Sequence, residues 1–160
     1  MAQIIIDGEL KDSPFEAVNA DDADPAASNV MLPLSVWLEH RDSLAGRNDV
    51  GLWLEPDDEV EAIADVVTLF PVIGLNFPTF FDGRCLSTAN LLRRKYGFEG
   101  ELRVIGDVRR DQLEQMKRCG INAFSLAEGQ DVTGALEALK GFTYAYQATI
   151  DDEEPLFRKR

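Results

Sequence analysis

The apolar positions fall into a rhythm of short strands and helices that becomes regular after the first thirty residues. Residues 3–10 alternate enough for a short strand, with Asp7-Gly8 as a turn. Residues 11–29 break the pattern. From Asn19 to Ser28 they hold Asp21, Asp22, Asp24 and Pro25 among small residues, with nothing to bury, and predict a flexible acidic linker. Their spacing does not match an EF-hand loop. Val36, Trp37 and Leu44 among charged residues predict a helix over 35–44, stopped at Gly46. A short strand follows at 51–54. Pro56 and the acids Asp57, Asp58 and Glu59 suit the positive end of a helix, and Val60, Ile63, Ala64 and Val67 supply its buried face. The apolar run 70–77 reads as a strand buried on both faces.

The second half repeats the unit. Ser87 caps a helix carrying Ala89, Leu91, Leu92 and Tyr96, closed by Gly97. A strand at 102–105 leads to a helix capped by Asp107, with Leu113 and Met116, ended by Gly120. A strand at 123–126 leads to a helix opened by Asp131 and ended by Gly141, and 142–147 forms a last strand. Four strand–helix units and a closing strand predict an α/β domain with a mainly parallel sheet and right-handed crossovers. The sheet is either open and three-layered or curved like part of a β/α barrel. The expected organisation is 1–30 as N-terminal strand and linker, 31–150 as one α/β domain, and 151–160 as a charged, mobile tail.

Composition is that of an ordinary soluble globular chain of 160 residues, with a formal net charge of −13. That charge argues against nucleic-acid binding. No apolar run reaches the roughly 20 residues that span a bilayer, and the first residues lack a signal-peptide pattern, so a cytoplasmic protein is expected. His40 is the only histidine and Cys85 and Cys119 the only cysteines, too few for a four-ligand zinc or iron–sulfur site within one chain. No metal is expected. Both thiols read first as structural.

Charge is unevenly spread. Residues 84–118 hold nine Lys/Arg against five Asp/Glu, a local +4 that leaves −17 for the rest of the chain. Such an island is a candidate surface for an anion or an acidic partner. Both sheet geometries put the working site at the carboxyl ends of the strands. There lie Phe80-Phe81-Asp82-Gly83-Arg84, then Gly106-Asp107-Val108-Arg109-Arg110-Asp111-Gln112, then Glu128-Gly129. Helix starts at Ser87 and Asp107 offer free N–H groups to an anion, and Arg84, Arg109 and Arg110 offer bidentate donors. The competing reading has Asp82 and Asp107 bracing turns, the arginines paired with nearby acids, and Arg93, Arg94 and Lys95 as a solvated helix end. Arg103, alternating with apolar strand positions, would then face a partly buried layer and pair with Glu101 or Asp107. No dinucleotide fingerprint, P-loop or nucleophile elbow is present. No cofactor is evident, although a flavin site needs no such motif.

Phe81-Asp82-Gly83-Arg84, Ser87, Ala89, Leu92-Arg93, Gly97, Gly100-Glu101-Leu102-Arg103, Gly106-Asp107, Asp111-Gln112 and Arg118-Cys119-Gly120 resemble a bacterial domain-of-unknown-function family (number 934). Its members are commonly labelled oxidoreductases, and their genes tend to sit beside that of assimilatory sulfite reductase. Cys85-Leu86, Asn90, Val104 and Arg109 depart from the family pattern. The resemblance implies a role in reductive sulfur assimilation and supplies no mechanism. In one reading the protein is an accessory of sulfite reduction whose Arg-rich strand-end surface binds the reductase, an acidic electron-transfer protein or a small oxyanion. In the other it is a stand-alone enzyme with an anionic substrate at the strand ends. For that reading Asp82, Asp107 and Cys119 are catalytic candidates. The ligand-binding candidates are Arg84, Ser87, Arg103, Gly106, Asp107, Arg110, Asp111 and Gln112.

Overall fold

The structure, a computed structural model, describes residues 2–126, 129–141 and 145–159. Eight strands form one sheet: β1 (Ala2–Ile6), β2 (Glu9–Ser13), β3 (Glu16–Ala17), β4 (Val30–Pro33), β5 (Val50–Leu54), β6 (Val72–Phe77), β7 (Glu101–Gly106) and β8 (Ala123–Phe124). The order across the sheet is β2-β1-β8-β7-β6-β5-β4-β3. β3 to β8 run parallel, and β1 lies antiparallel to both β8 and β2. The helices are α1 (Leu34–Glu39), α2 (Arg41–Leu44), α3 (Arg84–Arg94), α4 (Leu113–Arg118) and α5 (Val132–Lys140).

This order decides between the two predicted sheet shapes. From β4 to β8 each strand neighbours the next in sequence, so right-handed crossovers all fall on one face. The core shows it. Leu32, Leu52, Ile73, Leu75, Val104 and Phe124 point to the face that meets Trp37, Ile63, Ala89, Leu92, Met116 and Leu139 from the connecting segments. Among the described residues no helix is left for the other face, and the sheet curls into a half-barrel that hides it. Met31, Trp53 and Val72 fill that concave side with Phe15 and Ile105 packed against them.

The N-terminal segment completes the curl. β2 and β3 are the two outer strands, yet only Pro14 and Phe15 separate them in the chain. Three residue steps reach at most about 11 Å, so the two sheet edges lie close together. Arg103 pins this bridge from the middle of β7. It is 3% exposed. Its Nη1 donates to the Phe15 carbonyl at 2.9 Å, its Nη2 to Ser13 Oγ, and its Nε to Glu101 Oε1 at 2.6 Å. Its register neighbours are Gly74 and Ala123, small enough to leave room for the long side chain. Trp53 adds a bond from Nε1 to the Val18 carbonyl at 2.9 Å.

Several predicted elements differ. The stretch 11–29 is built into the sheet through β2 and β3. Arg47 also ties it down, donating to the carbonyls of Pro25 and Ala27 at 2.7 and 2.8 Å while chelating Asp49. Residues 30–33, given no element from sequence, form β4. The helix expected after Pro56 is two 3₁₀ turns, Val60–Ile63 and Val67–Leu69. The three-residue step from Val60 to Ile63 serves a 3₁₀ turn as well as an α-helix. α3 starts before Ser87 because Asp82 Oδ1 accepts the Arg84 amide at 3.2 Å. Asp107 caps nothing: a 3₁₀ turn at Arg110–Gln112 precedes α4, and the Asp107 amide donates to the Phe77 carbonyl at 2.8 Å. Phe142, Thr143 and Tyr144 of the last expected strand lie outside the described residues, and Ala145–Gln147 is not a strand. The Asp7-Gly8 turn stands as predicted, with φ of 52° and 78° joining β1 to β2 as a hairpin.

Candidate functional site: the strand-end rim

Three connections meet at the carboxyl ends of β5, β6 and β7. After β6 the chain runs through Pro78, Thr79, Phe80 and Phe81 into the Asp82 turn. Arg84 folds back on that turn, with Nε 3.0 Å from Asp82 Oδ1 and Nη2 2.7 Å from Oδ2. Its Nη1 meets Asp57 from the segment after β5. The Arg84 guanidinium holds the Asp82 carboxyl below the usual carboxylate range, so Asp82 is a brace and a poor proton donor near neutral pH. Glu55 accepts from Asn76 Nδ2 at 2.9 Å, joining the ends of β5 and β6.

The connection after β7 is locked to the one after β6. Gly106 has φ of 96°, and a Cβ there would lie 2.7 Å from Asn76 Oδ1 and closer still to the Phe77 carbonyl. Only glycine fits so tight a left-handed turn. Gln112 Nε2 donates to the Phe80 carbonyl and its Oε1 accepts the Arg109 amide, both at 3.1 Å. The Arg109 guanidinium lies 4.6 Å from the Phe80 ring centroid, and Phe80 meets Phe81 edge-on at 5.2 Å. Phe81 itself is 92% exposed. Gln130 Nε2, near the end of the β8–α5 connection, donates to the Val108 carbonyl at 3.0 Å. Glu128, expected at this edge, lies outside the described residues.

The predicted basic island divides on folding. Arg84 spends its donors on Asp82 and Asp57, and Arg103 is buried beneath the N-terminal bridge. Arg110 lies 3.8 Å from Glu137, against Gly134 of α5, where a Cβ would sit 2.9 Å from its Nη1. Arg93 caps the carbonyls of Phe98, Gly100 and Gly120 at 2.6, 3.0 and 2.8 Å. At the rim, Glu55, Asp57, Asp58, Asp82 and Asp107 stand against Arg84 and Arg109, so it is mixed in charge rather than basic. Asp107 is exposed with Arg109 Nε at 4.0 Å, and Asp111 is exposed on the 3₁₀ turn.

The remaining candidates lie elsewhere. Ser87 is exposed on α3. Cys119 is at the far end of α4, beyond which the chain turns back into β8, so the fold does not bring it to Asp82 and Asp107. Burial raises the Cys119 thiol, and it pushes Cys85 up to about 12, with Cys85 Sγ donating to the Asn76 carbonyl at 3.2 Å. No group of three His, Cys, Asp or Glu among the described residues is placed to hold a metal ion. No helix among them is long and apolar enough to cross a membrane. Sequence reasoning noted Phe80 and Phe81 only as neighbours of Asp82. Two adjacent aromatics between a buried strand and an Asp-Gly turn were the available signal.

Fold and rim together define the class: an α/β protein with a curled, mainly parallel sheet and a braced aromatic–arginine cluster at its carboxyl edge. Residues 51–157 match the family described as bacterial protein of unknown function (DUF934), and the chain belongs to that family. No curated protein matches it.

Proposed function

We propose that this protein is an accessory of assimilatory sulfite reduction in the cytoplasm, docking the reductase or its electron donor through the strand-end rim. The sulfur assignment rests on the family resemblance. The docking assignment rests on one observation: Phe81 stands almost fully in solvent on a platform of Phe80 and Arg109 that Gln112 holds in place. An exposed aromatic on a rigid base, beside an arginine, has the composition of an interface hot spot. A partner surface is favoured over a free oxyanion because Arg84 is already paired with two carboxylates and Arg103 is buried.

The test is co-purification with the sulfite reductase and electron donor of the same organism, using native protein, Phe81→Ser and Arg109→Ser. The native chain is expected to form a complex whose absorbance is that of the partner alone. Phe81→Ser should weaken it by about 2 kcal/mol or more, the scale of a hot-spot residue. Complex formation indifferent to both substitutions removes the rim from the interface. A chromophore on the protein alone, with no complex, puts the stand-alone oxidoreductase with an anionic substrate in its place.

A further inference from the structure

A second surface lies on the helical side of the molecule, and it holds what is left of the basic segment. A groove of about 590 Å³ runs between α3 and α4. Its apolar walls are Leu86 and Leu91, its neutral polar groups include Asn90 and Gln115, and Arg94 and Lys95 close one end. Arg94 has no ion-pair or hydrogen-bond partner among the described residues. Lys95 has an exposed pair with Glu61 at 3.3 Å and lies 5.0 Å from the Tyr96 ring centroid. Arg118 lies one residue from the groove lining at Cys119, and its Nε is buried without a partner among the described residues.

No carboxylate is among the described residues that line this groove, on a chain with 29 Asp/Glu and 16 Lys/Arg. The clefts along the C-terminal segment are different. One is bordered by Asp7 and Asp151, and another, which shares Arg94 with the groove, by Glu99 and Glu153. The α3–α4 groove therefore stands out as uncharged along its length and positive at one end. From Leu86 to Lys95 it follows nine residue steps of α3, about 14 Å at 1.5 Å per residue. A small oxyanion would touch only the Arg94 end.

We propose that this groove docks an acidic, amphipathic segment of a partner protein. Apolar side chains would seat on Leu86 and Leu91, and carboxylates would meet Arg94 and Lys95. Local charge complementarity with Arg94 and Lys95, beside the apolar walls, selects this occupant. The proposal uses residues apart from the rim and stands whether or not the rim is an interface.

The test is a fluorescence-anisotropy titration of the full chain with a labelled peptide carrying leucine and glutamate at helical spacing. A matched peptide has lysine for glutamate. The glutamate peptide is expected to bind, more weakly as salt rises, and the lysine peptide is not. Arg94→Glu, an exposed substitution, should weaken binding at least tenfold, and Phe81→Ser should leave it unchanged. Bound peptide should also slow alkylation of Cys119, read by mass spectrometry. Equal binding of the two peptides, no binding, indifference to Arg94→Glu, or self-association of the chain in place of peptide binding would each overturn the assignment.

Discussion

Gln112 donates its Nε2 hydrogen to the Phe80 carbonyl at 3.1 Å, so the turn after β7 positions the loop after β6. The same side chain accepts the Arg109 amide at 3.1 Å, which places the arginine over the Phe80 ring. One amide thus fixes both halves of the aromatic–arginine cluster. Gln112→Ala should cost about 1 kcal/mol of stability, the net worth of an ordinary hydrogen bond. It should also speed exchange of the Asp82 amide, which closes the loop on the Thr79 carbonyl. Unchanged exchange at Asp82 would show that the loop holds itself.

Arg103 has a structural prediction of its own. Arg103→Ala leaves Glu101 and the Phe15 carbonyl without their donor, and Ser13 Oγ with only the Phe15 amide at 3.3 Å. Breaking a buried ion pair on one side costs about 3–5 kcal/mol, measurable as a lower urea midpoint. Early proteolysis between Pro14 and Asn29 should accompany it. A loss under about 1 kcal/mol, the worth of a surface pair, would mean that the bridge is held mainly by Phe15 and Trp53.

Gly51 lies against β6 on the concave face. A Cβ there would sit 2.9 Å from the Val72 carbonyl, 3.0 Å from Met31 Cγ, and closer still to Val72 Cγ1. Gly51→Ala should therefore destabilise by about 1–3 kcal/mol, the range for overpacking a filled core. A thermal melt at or above that of the native protein would show that the β5–β6 spacing is softer than the packing implies.

Acid stability follows from Asp82 and Asp49. Arg84 lowers the first and Arg47 the second, each chiefly through side-chain hydrogen bonds. A carboxyl with a depressed folded pKa stabilises the fold above its unfolded pKa, near 3.8, and loses that contribution as pH falls through the folded value. The urea midpoint should be level with respect to these two groups from neutral pH down to about 5 and fall below about 4. Asp82→Asn should flatten part of that acid limb. An unaltered limb would assign it to other carboxylates.

Cys85 gives the alkaline counterpart. Its thiol is raised by burial to about 12 from an ordinary 9.0. The unfolded thiol ionises first, so this contribution is intact below pH 9.0 and is lost progressively as pH rises from there towards 12. In the native protein at pH about 8, Cys119 should label before Cys85, and urea should release both. Labelling of Cys85 first would contradict its burial.

The strands at 51–54, 70–77, 102–105 and 123–126 were legible because buried parallel strands appear as short apolar runs between turn residues. β4 was not, since Val30-Met31-Leu32-Pro33 runs directly into α1 with no turn residue between them and has no alternation of its own. The acidic stretch 11–29 looked unable to bury anything. Its anchors, Arg47, Trp53 and Arg103, lie about 20 to 90 residues away in the chain. The rim was half legible: the glycines and Gln112 were named, while Phe80 and Phe81 were noted only as neighbours of Asp82 and Arg109 only as a donor to an anion.

Local pattern by itself determined the α/β class and the central parallel strands, and pointed to the carboxyl edge as the place to look. Those follow from side-chain periodicity and turn chemistry, which act over a few residues. Tertiary structure alone decided that the sheet curls, that the N-terminal bridge closes over Arg103, and which cations stay free. Coulombic and hydrogen-bond partners are chosen by distance in space. The nine basic residues scattered over 84–118 therefore become, on folding, structural braces, part of the rim and the positive end of the α3–α4 groove.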